Sequence, residues 1–291
     1  MGLIIYQDGK FVDESEAKVS VFDHGFLYGD GVFEGTRAYN NRIFRFDEHI
    51  DRLYKSAKVV NIQVPISKEE MKQAHIETLK RNNFRDCYIR TIVSRGVGDL
   101  GLDPRRCTKA SVIIIASQIN LYPQEFYDNG LKVVTVPTRR NLAETLNPMI
   151  KSLNYLNNIM AKMEANLAGV PEAIILNNEG YVAECTGDNI FIVSDGKVST
   201  PPVYMGALDG ITRNAVLSLA ESNGIPNCEN PMTRYSLYTA DECFLSGTAA
   251  EVVPVVEIDG RIIGNGKPGP VTKRIIALFK EHVQTSGASI S

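Results

Sequence analysis

The chain has 291 residues, a mass of 32.1 kDa and a net charge of −3, from 31 basic and 34 acidic side chains. Without an excess of basic residues it is poorly suited to neutralise a nucleic-acid backbone. Its apolar runs are strand-length and too short to span a membrane, and its first residues lack the basic start and long apolar stretch of a signal peptide.

The first predicted elements are a β-hairpin and two helices. Asp8-Gly9 follows the strand-like residues 3–6, and Asp-Gly between two alternating runs is the strongest short signal for a hairpin. Apolar residues recur at helical spacing over residues 50–60, with Asp47 as the N-cap, and a second helix fits residues 68–80.

The middle of the chain contains the predicted domain boundary. Two strands are expected at residues 110–116 and 131–136, and a polar, turn-rich stretch separates them. This stretch predicts a linker at residues 119–131, between a smaller N-terminal α/β domain of residues 1–118 and a larger C-terminal domain of residues 132–291.

The C-terminal part repeats the same devices. Leu153, Leu156, Met160, Met163 and Leu167 recur at helical spacing, and further helices fit residues 213–222 and 271–283. Asp-Gly hairpins are expected again at residues 195–196 and 259–260. Because strands joined by hairpins pair antiparallel, the sequence predicts a two-domain α+β fold with mostly antiparallel sheets and flanking helices.

The cysteines and histidines argue against two common chemistries. The five cysteines form no CxxC pair and indicate reduced thiols in a cytoplasmic protein. The four histidines have no HxxH or HxxxH spacing, so no metal site is predicted, nor a triad built on histidine.

Lys151 is the first candidate for chemistry. A lone lysine is usually a surface charge, but this one directly precedes the apolar helical pattern and has Tyr155 four residues on, on the same side of a helix. An amine beside a phenol in a partly desolvated site can act as a Schiff-base nucleophile.

Four other segments could bind anions or carry a charge. Residues 210–213 open a helix with Thr212 as its N-cap, where free N–H groups suit a phosphate, although an ordinary capped helix is the better explanation of these four residues alone. Residues 246–250 follow a strand and form either a phosphate or carboxylate site or a plain turn. Arg52 flanks an apolar stripe and either reaches a buried anion or lies on the surface. Glu184 ends a returning strand, where sites often form.

Seven motifs together resemble one family. In chain order they are HGFLYGDGVFEGTR (24–37), EHIDRLYKSA (48–57), YIR (88–90), IKSLNYLNN (150–158), EGYVAECTGDNIF (179–191), GITR (210–213) and SGTAAE (246–251). Over nearly the whole chain, and in this order, they resemble the branched-chain amino acid aminotransferases, fold-type IV enzymes that depend on pyridoxal phosphate. Each motif is weak alone, whereas the set in register is specific.

The resemblance implies a cofactor, pyridoxal 5′-phosphate, and residues that bind it. It implies that Lys151, in the C-terminal domain, bonds to the cofactor and moves the reacting proton, and that Tyr155 bonds its phenolic oxygen. Glu184 would keep the pyridine nitrogen protonated, which makes the ring an electron sink. The residues that resemble the phosphate cup are Arg52, Ile211, Thr212 and Thr248. Residues 185–188 depart from the usual family pattern.

The implied reaction is the transamination of leucine, isoleucine and valine with 2-oxoglutarate, a step of branched-chain amino-acid biosynthesis. Arg90 would pair with the distal carboxylate of glutamate, with a structural salt bridge as the alternative. The walls of the substrate pocket would be Tyr28, Phe33, Gly35 and Tyr88, and backbone donors to the α-carboxylate would come from Thr248 and Ala249.

The resemblance further implies small-molecule amino acids and 2-oxo acids as partners, and a homodimer or a larger homo-oligomer built from dimers. Three other readings stay open. A D-amino-acid aminotransferase and an aminodeoxychorismate lyase share the implied fold. The third is a catalytically silent cofactor-binding or scaffold protein, against which the intact Lys151 and Glu184 count.

Overall fold

The computed structural model describes residues 2–119 and 121–290. Within them the α-helices are α1 (His24–Tyr28), α2 (Phe46–Val59), α3 (Lys68–Arg81), α4 (Gln124–Asn129), α5 (Ala143–Leu146), α6 (Leu156–Leu167), α7 (Ile211–Ser222), α8 (Arg234–Tyr238) and α9 (Pro270–Thr285). The strands are β1 (Ile4–Gln7), β2 (Lys10–Asp13), β3 (Gly31–Tyr39), β4 (Arg42–Ile43), β5 (Cys87–Ser94), β6 (Ser111–Ser117), β7 (Leu131–Arg139), β8 (Glu172–Leu176), β9 (Val182–Cys185), β10 (Asn189–Ser194), β11 (Lys197–Thr200), β12 (Asn227–Glu229), β13 (Glu242–Gly247), β14 (Glu251–Ile258), β15 (Arg261–Ile262) and β16 (Ala288–Ser289).

The chain divides into two compact units. The first unit contains residues 2–119, 150–154 and 283–290, and the second contains residues 121–149 and 155–282. Each unit has its own sheet and its own hydrophobic core. Helices and strands are mixed in both, which confirms the predicted α+β class.

The first unit is an antiparallel sheet with helices packed on it. Its strand order is β16-β4-β3-β5-β6-β1-β2, and every neighbouring pair is antiparallel. α2 packs on β3 and buries Ile50 and Leu53, at the helical spacing that the sequence shows. The N-cap of α2 is Arg45, so the predicted N-cap at Asp47 is wrong. Asp47 lies in the first turn instead, where its negative charge interacts favourably with the positive end of the helix dipole.

The second unit is built on a mixed sheet. Its strand order is β12-β11-β10-β13-β14-β7-β8-β9, and β15 pairs with β14. The pairs β11–β12, β14–β7 and β7–β8 are parallel, and the other neighbouring pairs are antiparallel. The core is formed by the branched aliphatic residues of these strands, such as Ile174, Val253 and Ile258.

The three predicted Asp-Gly hairpins are confirmed. They join β1 to β2, β10 to β11 and β14 to β15. In each turn both residues have positive φ, with Asp8, Asp195 and Asp259 at 51°, 51° and 52°. This left-handed backbone matches the twist of the flanking strands, and asparagine, aspartate and glycine tolerate it best.

α6 packs on the sheet through its alanine residues and not through its large apolar side chains. Ala161 and Ala165 are fully buried against β7 and β8, while Leu156, Met163 and Leu167 are more than half exposed in the single chain. Small side chains let the helix approach the sheet closely. The apolar pattern therefore predicts the helix correctly, but its large side chains do not face the core of this chain.

The units differ from the predicted domains at three places, one of which is residues 283–290, predicted in the C-terminal domain but found in the first unit. Residues 150–154 lie in the first unit, because Ser152 bridges to Val32 and the Leu153 N–H donates to the Gly31 carbonyl at 2.9 Å. Lys151 thus lies with the N-terminal residues and not with the later part of the chain. The predicted linker at 119–131 contains α4, whose Phe126 and Tyr127 pack on the core of the second unit.

Candidate active site

Lys151 lies in an extended segment that is bonded to β3. Its carbonyl accepts the N–H of Phe33 at 2.9 Å, and its own N–H donates to the Ser56 hydroxyl at 3.2 Å. The predicted helical relation between Lys151 and Tyr155 is wrong, since α6 begins at Leu156 and Tyr155 is its N-cap. Pairing with a strand fixes the backbone of Lys151, and its amine lies 4.7 Å from the centre of the Phe33 ring.

Four of the predicted substrate residues share one face of the first sheet. Gly35 of β3 is directly opposite Arg90 of β5, and Phe33 and Tyr88 are each two residues away along the same strands. The guanidinium of Arg90 lies 4.5 Å from the centre of the Phe33 ring and 5.5 Å from that of Tyr88. This face therefore combines aromatic side chains with the Arg90 cation.

Arg90 has one hydrogen bond in this arrangement and one unsatisfied donor. Its NH2 donates to the Tyr88 hydroxyl at 2.9 Å, whereas its buried Nε has no hydrogen-bond partner among the described residues. Buried donors are nearly always paired in proteins, so an orphaned one at a candidate site fits an acceptor supplied by a ligand.

Gly35 is required for this geometry. A Cβ atom at position 35 would lie 2.1 Å from the Tyr88 hydroxyl oxygen, far closer than non-bonded atoms approach. Any side chain at this position would displace Tyr88 and, with it, the bond to Arg90. Gly35 thus keeps open the space over the sheet that the Tyr88 ring occupies.

Tyr28 makes different contacts. Its ring packs edge-on against His24 with centroids 5.2 Å apart, and its hydroxyl donates to the Leu100 carbonyl at 2.6 Å. These contacts do not include the face formed by Phe33 and Arg90, so the place of Tyr28 in the pocket wall stays a prediction.

Arg52 is held by Glu34, and Glu34 is bonded in turn to His49; neither Glu34 nor His49 was predicted from the sequence. The Nε and NH2 of Arg52 donate to the two carboxylate oxygens of Glu34 at 2.6 and 3.0 Å, and His49 Nδ1 lies 2.8 Å from the same carboxylate. Burial opposes ionisation of Glu34, but the Arg52 charge and the His49 hydrogen bond outweigh it and hold the pKa of this carboxyl well below its usual range. The available signal was an acidic residue inside the buried run of β3.

Glu184 lies in the second unit. Its side chain is buried, and each of its carboxylate oxygens has a protein partner. One of its oxygens lies 2.6 Å from NH2 of Arg140, and the other accepts the Leu208 N–H at 2.8 Å. Arg140 in turn donates to the side-chain oxygens of Asn157 and Asn158. The sequence reasoning overlooked Arg140, although a buried carboxylate requires a partner of this kind.

α7 presents an open N-terminus. Its N-cap is Gly210, which has no side chain to cap the first turn, so the predicted N-cap at Thr212 is wrong. Ile211 and Thr212 are the first two residues of the helix, and their backbone N–H groups point out of its positive end. A Cβ atom at position 210 would lie 1.9 Å from Oδ1 of Asn189, so only glycine fits. This end of α7 has the chemistry of a phosphate site.

Thr248 and Ala249 lie in the tight turn between β13 and β14, and both are partly exposed. The turn is packed against Asp188, since a Cβ atom on Gly247 would lie 2.0 Å from its Oδ1. Asp188 is one of the residues that depart from the family pattern. Burial, and after it the Glu172 carboxylate, raises the pKa of Asp188 above its usual range.

Residues 2–119 and 121–290 contain neither a metal-binding cluster nor a membrane-spanning helix. Their histidine, cysteine and acidic side chains form no group of three or more that could hold a metal ion. In the same residues, no helix has the length and apolar character needed to cross a membrane.

Comparison with known proteins gives consistent matches over most of the chain. The family model for class IV amino-transferases matches residues 31–258. A protein of Methanocaldococcus jannaschii is 56% identical over 277 residues, covering 95% of this chain and 95% of the relative. The branched-chain-amino-acid aminotransferase of Pseudomonas aeruginosa is 41% identical over 278 residues, 94% of this chain and 90% of the relative. The solved structure of a branched-chain aminotransferase from the thermophilic archaeon Thermoproteus uzoniensis with norvaline matches with a TM-score of 0.91 at 42% identity, over 98% of this chain and 95% of that one.

Proposed function

The chain belongs to the class IV amino-transferase family, and on that premise we propose that it transaminates branched-chain L-amino acids with 2-oxoglutarate, giving branched-chain 2-oxo acids and L-glutamate. The observation that carries the proposal is the face of β3 and β5, where Arg90 lies between Phe33 and Tyr88 with a buried, unsatisfied Nε. The D-amino-acid aminotransferase and lyase alternatives are not favoured by the relatives.

The cofactor of this reaction is pyridoxal 5′-phosphate, and the donor chemistry of the chain fits it. The uncapped first turn of α7 suits a phosphate, Lys151 offers an amine, and Glu184 offers a buried carboxylate. When bound, the cofactor withdraws electrons from the substrate Cα. The residues proposed to hold it are Arg52, Lys151, Tyr155, Glu184, Ile211, Thr212 and Thr248.

The protein residues have separate tasks in the proposed reaction. Lys151 Nζ would take the proton from the substrate Cα as a general base and deliver it to the cofactor carbon as a general acid. Glu184, fixed by Arg140 and by the Leu208 N–H, holds the proton on the cofactor ring nitrogen. The backbone N–H groups of Thr248 and Ala249 orient the substrate α-carboxylate.

The substrate pocket must accept two different side chains. Leucine brings an apolar group, while glutamate brings a carboxylate that would be costly to bury without a partner. Phe33 and Tyr88 provide apolar contact, and Arg90 provides a planar donor for the carboxylate. One pocket with this composition can serve both substrates.

The test of the proposed function is a panel of amino donors with 2-oxoglutarate as acceptor. We expect L-leucine, L-isoleucine and L-valine to be converted, with L-glutamate appearing in equal amount, and D-alanine to be inactive. Chiral chromatography of the products measures both results. Conversion of D-alanine in preference to L-leucine would contradict the proposal.

Arg90→Ala is expected to impair the half-reaction with glutamate or 2-oxoglutarate by about ten- to a hundredfold, because a charge-assisted hydrogen bond contributes roughly 1.5–3 kcal/mol. The half-reaction with leucine should change much less, since it needs only the apolar walls. Stopped-flow measurement of the two half-reactions on one purified variant makes leucine the internal control. Equal losses in both would show that Arg90 supports the structure and does not contact the substrate.

We also propose that the chain forms a homodimer or a larger assembly built from dimers. The exposed stripe of α6, which includes Leu156, Ile159, Met160, Met163 and Leu167, supports this, because large contiguous apolar faces usually mark interfaces. Light scattering should give a mass that is a multiple of 32.1 kDa, reduced in a Met163→Glu variant. A single-chain mass for the unsubstituted protein would refute the proposal.

A cytoplasmic location is proposed as well. Its support is that all five cysteines are free thiols, which is typical of reducing compartments. Fractionation of the source cells tests it, and recovery of the protein with the cell envelope or the medium would contradict it.

A further inference from the structure

Glu34 is a buried carboxylate that the proposed reaction does not use. It lies on the face of β3 opposite to that of Phe33 and Gly35, and its side chain is 1% exposed. Its oxygens face Nε and NH2 of Arg52 and Nδ1 of His49. A carboxylate without access to water is costly to bury, so its retention at this position requires an explanation.

We infer that Glu34 is a positioning residue, which fixes the Arg52 guanidinium so that its opposite edge is aimed at the phosphate of pyridoxal phosphate. The inference rests on the proposed function, because that function gives Arg52 its phosphate. A guanidinium is planar and carries its donors in a fixed fork. Two bonds from one edge to one carboxylate therefore set both the plane and the direction of the other edge.

His49 completes the support. Burial lowers the pKa of His49 below its usual range, and the opposing effect of its hydrogen bond to Glu34 is smaller. A neutral ring with its proton on Nδ1 donates to Glu34 without adding a charge. The hydrogen bond from His49 thereby holds the Glu34 carboxylate in place. The negative charge of Glu34 balances the positive charge of Arg52.

Positioning and simple electrostatics predict opposite results at this site. A carboxylate near a phosphate repels it, so if charge alone mattered, removal of Glu34 would strengthen phosphate binding. If Glu34 orients Arg52, its removal lets the long side chain sample other rotamers and weakens binding, because the donor is no longer preorganised.

The experiment measures cofactor binding to the apoenzyme. Dissociation constants are determined by spectroscopic titration for pyridoxal phosphate and for pyridoxal, which lacks the phosphate. The ratio of the pyridoxal constant to the pyridoxal phosphate constant reports the phosphate contribution. In Glu34→Gln we expect this ratio to fall about ten- to a hundredfold, with the pyridoxal constant unchanged within about threefold. An unchanged or increased ratio, or equal losses for both ligands, would overturn the inference.

A second substitution separates geometry from charge and serves if Glu34→Gln does not fold. Glu34→Asp keeps the negative charge, but its shorter side chain cannot form both bonds to Arg52 from the same backbone position. Positioning predicts a reduced ratio in this variant too. A wild-type ratio would mean that only the charge of Glu34 matters, which contradicts the inference.

Two further variants serve as controls. Thr36 lies two residues after Glu34 on the same buried face of β3, and its hydroxyl has no partner among the described residues. The ratio measured for Thr36→Val should therefore equal that of the wild type. Arg52→Met tests the proposed function itself. If it leaves the ratio unchanged, Arg52 does not bind the phosphate and the proposed site fails. If it lowers the ratio while both Glu34 variants do not, only the positioning inference fails.

Discussion

Lys151→Ala is expected to abolish transamination and the visible absorbance of a lysine-bound cofactor, while the fold survives. The backbone N–H and carbonyl of Lys151 make the bonds to Ser56 and Phe33, and alanine retains both groups. The amine is lost, and with it both the nucleophile and the base at Cα. Steady-state assays, absorbance spectra and thermal unfolding of the purified variant measure the three results.

Two further variants make this test specific. Lys151→Arg should fail as well, because a guanidinium stays protonated and cannot act as an amine nucleophile. Lys55→Ala replaces an exposed lysine of α2 and should behave as the wild type. Retained turnover in Lys151→Ala would show that the reacting amine belongs to another residue.

Glu184→Gln is expected to lower the rate by about a hundred- to a thousandfold, the range found when a group that stabilises developing charge is removed. A neutral amide cannot stabilise the proton on the cofactor ring nitrogen, so the ring withdraws electrons poorly. Affinity for the cofactor should fall much less, because the phosphate contacts are unaltered. Single-turnover rates and spectroscopic titration of the apoenzyme separate the two quantities.

The controls for this prediction use the local geometry. The variant leaves Arg140 with an unbalanced buried charge, so its unfolding temperature must be measured beside its rate. Glu179→Gln alters an exposed carboxylate in the turn before the same strand and should change neither quantity. A normal rate in a stable Glu184→Gln protein would mean that another group protonates the ring.

The face of β3 and β5 that carries the proposed substrate residues shows which parts of the site a local sequence pattern can predict. Alternation with a period of two places Phe33 with Gly35 and Tyr88 with Arg90 on one side of their strands, and the register then joins the two pairs. The sequence pattern can predict that these segments are strands. It cannot predict their register or the close approach of Tyr88 to Gly35, because both depend on segments far apart in the chain.

The supporting residues were missed for a related reason. Glu34 and Arg140 each pair with a residue in a different element, and no spacing rule connects the partners. A charged residue in an apolar strand signals that a partner exists, but only the packed structure identifies it.

The sequence by itself determined the hairpins, the helices that bury an apolar stripe, the α+β class and the motifs of the family. These follow from local sterics and from periodicity, which act between near neighbours in the chain. Only the tertiary structure decided that Lys151 extends along β3, that Gly210 and not Thr212 caps α7, and that α6 turns its alanines to the sheet. Each of these outcomes depends on which distant surface a segment meets, and burial and hydrogen bonding to that surface outweigh the local preference.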